Sequence, residues 1–180
     1  MFASTAQDFI EKAIESDRKF LAKFDPATDK AAFEAEWQAR SSGARSEVNS
    51  FEPNYEGSSI VAGPPGATCS AIGSHQFVAR AGHHLAPRQL ASGRNVFEEL
   101  GEGFTLLDFG APDAAIASIR RAAETNGVPL KLVRDDSAEA REFYEAALVL
   151  VRPDQFVAWD SDGDVTDAEG IIRRAVGGHP

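Results

Sequence analysis

The chain has 180 residues, with 18 Lys and Arg against 28 Asp and Glu, a formal charge of −10. That balance argues against nucleic acid as a partner, because phosphate backbones are gripped by clustered basic charge. With 43% hydrophobic and 26% charged residues, the composition is that of a globular domain with a core; no apolar run reaches the roughly 20 residues that span a bilayer, and no signal-peptide pattern follows Met1, so no membrane partner and a cytoplasmic location are expected.

Residues 5–24 predict an amphipathic helix, since Phe9, Ile10, Ala13, Ile14, Phe20, Leu21 and Phe24 recur at spacings of three and four. Asp25 is placed as N-cap and Pro26 as first residue of a second helix carrying Phe33 and Trp37, which Ser41-Ser42-Gly43 ends. From Asn49 to Gly82 the pattern dissolves into Pro, Gly, Ser and isolated apolar residues, a long irregular connection draped over a surface.

Regular periodicity then returns. Phe104–Phe109 is a run of strand length, Pro112-Asp113 starts a helix with Ile116, Ile119 and Ala123 on one face, and Asn126-Gly127 closes it. Leu130–Val133 is a second strand, and Ser137 caps a helix containing Phe143. Leu148–Val151 and Phe156–Trp159 are two more strands, joined by Arg152-Pro153-Asp154-Gln155 as an antiparallel hairpin. Thr166-Asp167-Ala168-Glu169 has the spacing of a capping box, opening a last helix with Ile172, Ala175 and Val176 inward and Gly177 past its end. The order β-α-β-α-β-β-α is that of a thioredoxin core. The expected organisation is a helical arm over 1–48, an irregular connecting segment over 49–99, and an α/β thioredoxin-like domain over 100–180.

Several stretches carry residue types that candidate chemistry would need. A dithiol at the first strand-to-helix junction would have its thiol pKa lowered by the helix N-terminus, but Gly110-Ala111-Pro112-Asp113 contains no sulfur. Cys69, the only cysteine, lies near His75 in sequence, and proximity alone does not hold a base within hydrogen-bond reach. His75, His83 and His84 lack the helical spacing of metal ligands. The acidic run Asp160-Ser161-Asp162-Gly163-Asp164 has Val165 at the sixth loop position and Ile171 at the twelfth, where a calcium loop needs Gly and Glu. Gly63-Pro64-Pro65-Gly66 lacks a phosphate-loop lysine, and Gly101-Glu102-Gly103 precedes a strand instead of following one. Both Trp read as core anchors. No residue is assigned as catalytic, cofactor-binding or metal-ligating.

Tyr55-Glu56-Gly57-Ser58-Ser59-Ile60-Val61, Gly82-His83-His84-Leu85-Ala86-Pro87, Ala91-Ser92-Gly93-Arg94-Asn95-Val96-Phe97 with Gly101–Leu107, and above all Leu148–Trp159 together resemble the C-terminal region of FAD-dependent aromatic-ring monooxygenases of the phenol, hydroxyphenylpropionate and polyketide hydroxylase type. The chain departs from that pattern at His84, where the family usually has Arg, and at Ala86, where it often has Pro. The resemblance implies a thioredoxin-like domain without redox cysteines, and a leading helix of the kind by which those enzymes leave their flavin domain. The flavin fingerprint is missing from these residues, so FAD is expected only where another chain or upstream sequence supplies a flavin domain, and this chain is expected to be a non-catalytic structural or oligomerisation domain. The alternative is a stand-alone redox or ligand-binding protein using Cys69. In the resembled enzymes Phe9, Ile10, Ile14, Phe20 and Leu21 would pack on other domains. A stripe left bare usually marks an interface, so a homodimer is expected through these five residues, with a flavin domain as a further possible partner.

Overall fold

Four continuous apolar runs become the strands of one sheet: β1 (Phe104–Asp108), β2 (Leu130–Arg134), β3 (Leu148–Val151) and β4 (Val157–Ser161). The computed structural model describes residues 2–25, 28–39, 52–63, 66–71, 73 and 76–178, with side chains from Ile10 onward. It separates into two compact units, Met1–Pro53 with Ser70–His75, and Asn54–Cys69 with Gln76–Pro180.

In the second unit the strand order is β2-β1-β3-β4. β1 runs parallel to β2 with Leu106 opposite Leu132, and antiparallel to β3 with Leu106 opposite Leu150. β3 and β4 are the expected antiparallel neighbours, with a register shift between Leu150 and Val151. A parallel β-α-β unit and an antiparallel β-β-α unit thus share one sheet, giving the α/β architecture that the element order implied. Because side chains alternate across a strand, the sheet sorts its apolar residues to two faces. Leu106, Leu148, Leu150 and Trp159 meet α4 (Asp113–Thr125) and α6 (Ala168–Ala175) through Ile116, Ile119 and Ile172. Leu107, Val149, Val151 and Val157 meet Ala140 and Tyr144 of α5 (Ala138–Tyr144) on the other face.

That second face is closed by the connection itself. Ala79, Leu85, Ala86, Leu90 and Val96 are buried against it, the last in the short helix α3 (Val96–Glu99), which Asn95 and Glu98 close with a capping box. The connection is therefore packed rather than draped: Ala79 N–H donates to Tyr144 O at 2.9 Å, and the Tyr144 hydroxyl donates to Ala86 O at 2.8 Å.

Two local expectations about α6 are corrected. α6 is capped by Asp167, whose carboxylate accepts from Gly170 N–H at 2.8 Å. The Glu169 carboxylate accepts instead from the Asn126 side chain at 2.9 Å, so Thr166 and Glu169 form no capping box. Val176 is 48% exposed, not inward, because α6 ends at Ala175 and Val176 already sits at the cap.

In the first unit α1 spans Phe2–Leu21 and residues 30–39 form α2. The second helix starts later than expected: Thr28 and Asp29 N–H both donate to Asp25 O, and Phe33 N–H donates to Asp29 O at 2.8 Å. Asp25 closes a turn, and its own N–H donates to the Asp29 carboxylate at 2.9 Å. Pro26 and Ser41–Gly43 lie outside the described residues. Phe20 is 5% exposed, its ring 5.3 Å from Phe24, 5.7 Å from Phe33 and 5.8 Å from Trp37. Trp159 is the core anchor expected of it, whereas Trp37 is exposed.

Candidate functional site

The β1-to-α4 junction is where a dithiol of a thioredoxin-like enzyme would lie. Here Asp108, 3% exposed at the end of β1, turns its carboxylate back to accept from Gly110 N–H at 3.1 Å and Ala111 N–H at 2.9 Å. Arg134 binds the same carboxylate at 3.1 Å and reaches Asp113 at 3.1 Å. The backbone donors at this loop are thus occupied by a carboxylate fixed in an ion pair, an arrangement that orders the turn and disfavours a thiolate.

A second concentration of charge joins the connection to β4. Glu56 Oε1 accepts from His83 Nε2 at 2.9 Å and from Arg80 Nε. Burial opposes ionisation of Glu56, but the bonds from His83 and Arg80 outweigh it and hold the carboxyl below its ordinary range. Between those residues Gly82 N–H donates to Val157 O at 2.8 Å and Tyr55 N–H donates to Gly82 O at 2.7 Å. Gly82 has φ +95°, and a Cβ there would lie 2.5 Å from Glu56 N, so the close crossing requires glycine. Asp160 Oδ1 accepts from Ala81 N–H at 2.8 Å. Desolvation pushes the Asp160 carboxyl up, with Ala81 and Arg80 opposing and Asp162 adding to the rise. Beside this cluster Ala62, Trp159, Thr166, Ile171 and Arg174 line a cleft of about 450 Å³. Chemically the cluster is a clamp: the Glu56 carboxylate cross-links residues 56, 80 and 83, while backbone bonds to Val157 and the Asp160 carboxylate hold that stretch on β4.

Of the residues singled out in the sequence, Cys69 is exposed in the connection, and His75 lies outside the described residues. His84 is exposed, its Nδ1–H donating to Leu85 O at 3.0 Å, and its ring is edge-on to Phe156 at 5.3 Å. Among the described residues no group of three or more His, Cys, Asp or Glu could hold a metal ion. In the acidic run Ser161 Oγ donates to Asp164 O at 2.7 Å and accepts from Gly163 N–H at 3.0 Å, the strand-to-helix turn. Of the five interface residues, Ile10, Ile14 and Leu21 are exposed, Phe20 is enclosed by its own unit's rings, and the Phe9 side chain lies outside the described residues. Sequence reasoning missed Glu56 and Arg80, and took Asp160 only as the start of the acidic run. The one available signal was that Glu56 and His83 fall inside the phrases carrying the family resemblance.

The profile of a family described as aromatic-ring hydroxylase, C-terminal, matches residues 78–178. The chain is 38% identical over 94 residues to FAD-dependent monooxygenase apdD of Emericella nidulans, a stretch covering 49% of this chain and 15% of that protein. It is 30% identical over 95 residues to FAD-dependent monooxygenase opdD of Penicillium oxalicum, covering 49% and 18%. Among solved structures, the rebeccamycin biosynthetic enzyme RebC with reduced flavin superposes with a TM-score of 0.66 at 31% identity, over 87% of this chain and 29% of that one. The chain therefore spans less than a third of the length of these relatives. No helix among the described residues is long and apolar enough to cross a membrane.

Proposed function

This chain belongs to the aromatic-ring hydroxylase C-terminal family, and we propose that it serves as the non-catalytic, thioredoxin-like C-terminal domain of a flavin-dependent aromatic hydroxylase system in the cytoplasm. FAD and the aromatic substrate are then handled by a flavin domain outside these residues. The observation that carries this reading is the β1-to-α4 junction, where the Asp108 carboxylate takes the Gly110 and Ala111 donors and is paired with Arg134. Such a loop supports a sheet; it does not activate a thiol. Glu56, Arg80 and His83 serve the same end by cross-linking the stretch of the connection whose backbone bonds Val157 of β4.

The exposed Ile10, Ile14 and Leu21 support pairing of the helical arm with a second copy, since a contiguous apolar stripe on an exposed helix is an interface in waiting. Phe20 stabilises its own unit and is a poor probe of that pairing, so Ile14→Glu is the informative substitution. Light scattering is expected to give a dimer that Ile14→Glu converts to monomer; a wild-type monomer at micromolar concentration overturns the pairing.

For the domain role, purified protein is expected to retain no flavin, and to hydroxylate no phenol when given FAD and a reduced nicotinamide. Mixed with a family hydroxylase truncated of its own C-terminal domain, it is expected to raise that enzyme's melting temperature. Yellow protein that oxygenates a phenol alone would sink the reading, and Cys69-dependent reduction of a disulfide substrate would replace it with a redox one.

A further inference from the structure

Ile10, Ile14 and Leu21 of α1 are 55%, 47% and 57% exposed, and Asp17 stands between the last two. Residues 10, 14, 17 and 21 thus follow one another at steps of four, three and four, the spacing of a seam along which one helix packs on another. On one side of the seam α2 is already in place, since Phe20 is enclosed by Phe24, Phe33 and Trp37; Ala13, seven positions earlier, lies on that same side. The other side carries Glu11 and Arg18, both exposed. At its C-terminal end the seam runs into a cleft of about 510 Å³ between α1 and α2, lined by Leu21, Phe24 and Phe33. The hairpin of α1 and α2 therefore buries Phe20 and leaves the seam and the cleft on its surface.

We propose that two copies pair their α1 helices antiparallel, centred between Glu15 and Ser16, so that Glu11 of each copy meets Arg18 of the other. The proposal rests on the arm pairing proposed for this chain and adds its orientation and register. In this arrangement Ile10 lies against the partner's Leu21 and Ile14 against the partner's Asp17. The flanks of the seam that point away from α2 come together, which brings opposite charges side by side twice, once at each end of the two-fold pair.

Charge excludes the neighbouring arrangements. Sliding the pair one heptad toward the N-termini sets Glu11 beside the partner's Glu11, and sliding it toward the C-termini sets Arg18 beside the partner's Arg18; both oppose like charges. In a parallel pair Asp17 would face the partner's Asp17 across the seam, and Arg18 would meet the partner's Ala13, which has no charge to answer it. Antiparallel packing sets Asp17 against an apolar residue instead. A lone polar residue at such a seam costs stability and fixes orientation. The cleft beside Leu21 then receives the first turns of the partner's α1, which begins at Phe2.

Orientation is read from pulsed electron-resonance distances between spin labels carried by Glu15→Cys or by Lys23→Cys, each in a Cys69→Ser background. At a rise of 1.5 Å per residue, the two labels at position 23 are expected to stand about 22 Å apart along the helix axis, and those at position 15 almost level. A parallel pair would give similar distances at both positions. Register is read from charge reversal. Arg18→Glu and Glu11→Arg are each expected to weaken the dimer about tenfold, although the second makes a net charge of −10 less negative. The two reversals combined are expected to restore wild-type affinity to within about threefold, because the same pairs re-form with their signs exchanged. Far-UV circular dichroism checks that helix content is kept, and the distance measurement depends on neither reversal. A dimer with equal distances at positions 15 and 23, or single reversals that the double reversal does not rescue, overturns the antiparallel assignment and leaves the arm pairing standing; a wild-type monomer by light scattering removes both.

Discussion

Removing the Asp135 carboxylate should loosen the connection from the sheet it covers. Asp135 follows β2 and is 3% exposed; one of its oxygens accepts from Ala91 N–H at 2.9 Å and the other from Ser137 N–H at 2.9 Å. It thereby ties the turn after Leu90 to the start of α5, whose cap is Ser137. In Asp135→Ala both backbone donors lose their acceptor. At about 1.5–3 kcal/mol for each hydrogen bond to a charged group, and less than additively because both share one carboxylate, the loss is roughly 2–4 kcal/mol. Against a total stability of about 5–15 kcal/mol that is a large fraction, and with an m-value of about 1–3 kcal/mol/M it moves the urea midpoint down by roughly 1–2 M. The pH dependence carries a second signature. Burial opposes ionisation, but the hydrogen bonds from Ser137 and Ala91, aided by Arg88, prevail and hold the carboxyl below its ordinary value of 3.8. A depressed folded pKa means that the stabilisation is complete above the unfolded value and is lost as pH falls through the folded one. Urea unfolding of wild type, Asp135→Ala and Asp135→Asn, repeated from neutral pH into the acid range, measures both effects. Asp135→Asn keeps one acceptor, so its neutral-pH loss should be smaller, and both variants should lack this carboxylate's share of the acid sensitivity. A loss below about 0.5 kcal/mol in Asp135→Ala, the range of inert surface changes, would refute the reasoning.

Asp160 should behave in the opposite sense. Desolvation raises its carboxyl above the ordinary range, so its ionisation weakens the fold as pH rises through the raised value. Asp160→Asn retains an acceptor for Ala81 N–H, and is expected to raise the neutral-pH urea midpoint with no gain once wild-type Asp160 is protonated; equal shifts at both pH values would contradict this. Gly82→Ala places a methyl against Glu56 N at a left-handed φ, and is expected to cost about 2 kcal/mol or more, since the native conformation is strained for any side chain. Thermal unfolding that matched wild type would show that the crossing relaxes freely.

The elements legible in the sequence are those whose burial is set by local period. Leu148–Val151 is buried throughout and Val157–Trp159 nearly so, because helices or the connection cover both faces of the sheet; a continuous apolar run is what such strands need. Misreadings arose where a side chain had a distant alternative. Glu169 had the spacing to return to its own helix start but bonds Asn126, 43 positions away. Asp25 and Asp29 both had cap chemistry, and hydrogen bonding across the turn selected the later one. The interface stripe read as five equivalent residues, yet Phe20 differs from Ile14 because α2 brings Phe33 and Trp37 to its ring, a contact that helical period on α1 alone does not contain.

The clamp was invisible for a related reason. Glu56 and His83 stand 27 positions apart in backbone without period, so neither helix nor strand spacing places them together. Their meeting depends on Gly82 permitting a close crossing and on Val157 supplying the hydrogen bonds that fix it. The outer side of β2, an end strand of the sheet, has the same character: which of its residues face outward follows from the pairing phase with β1, and a one-residue slip would put Lys131 and Val133 there in place of Leu130 and Leu132. Strands, helices and core are thus written in local pattern, whereas the sealing of β4 by Ala62, Gly82 and His83 exists only after the strands have chosen their neighbours.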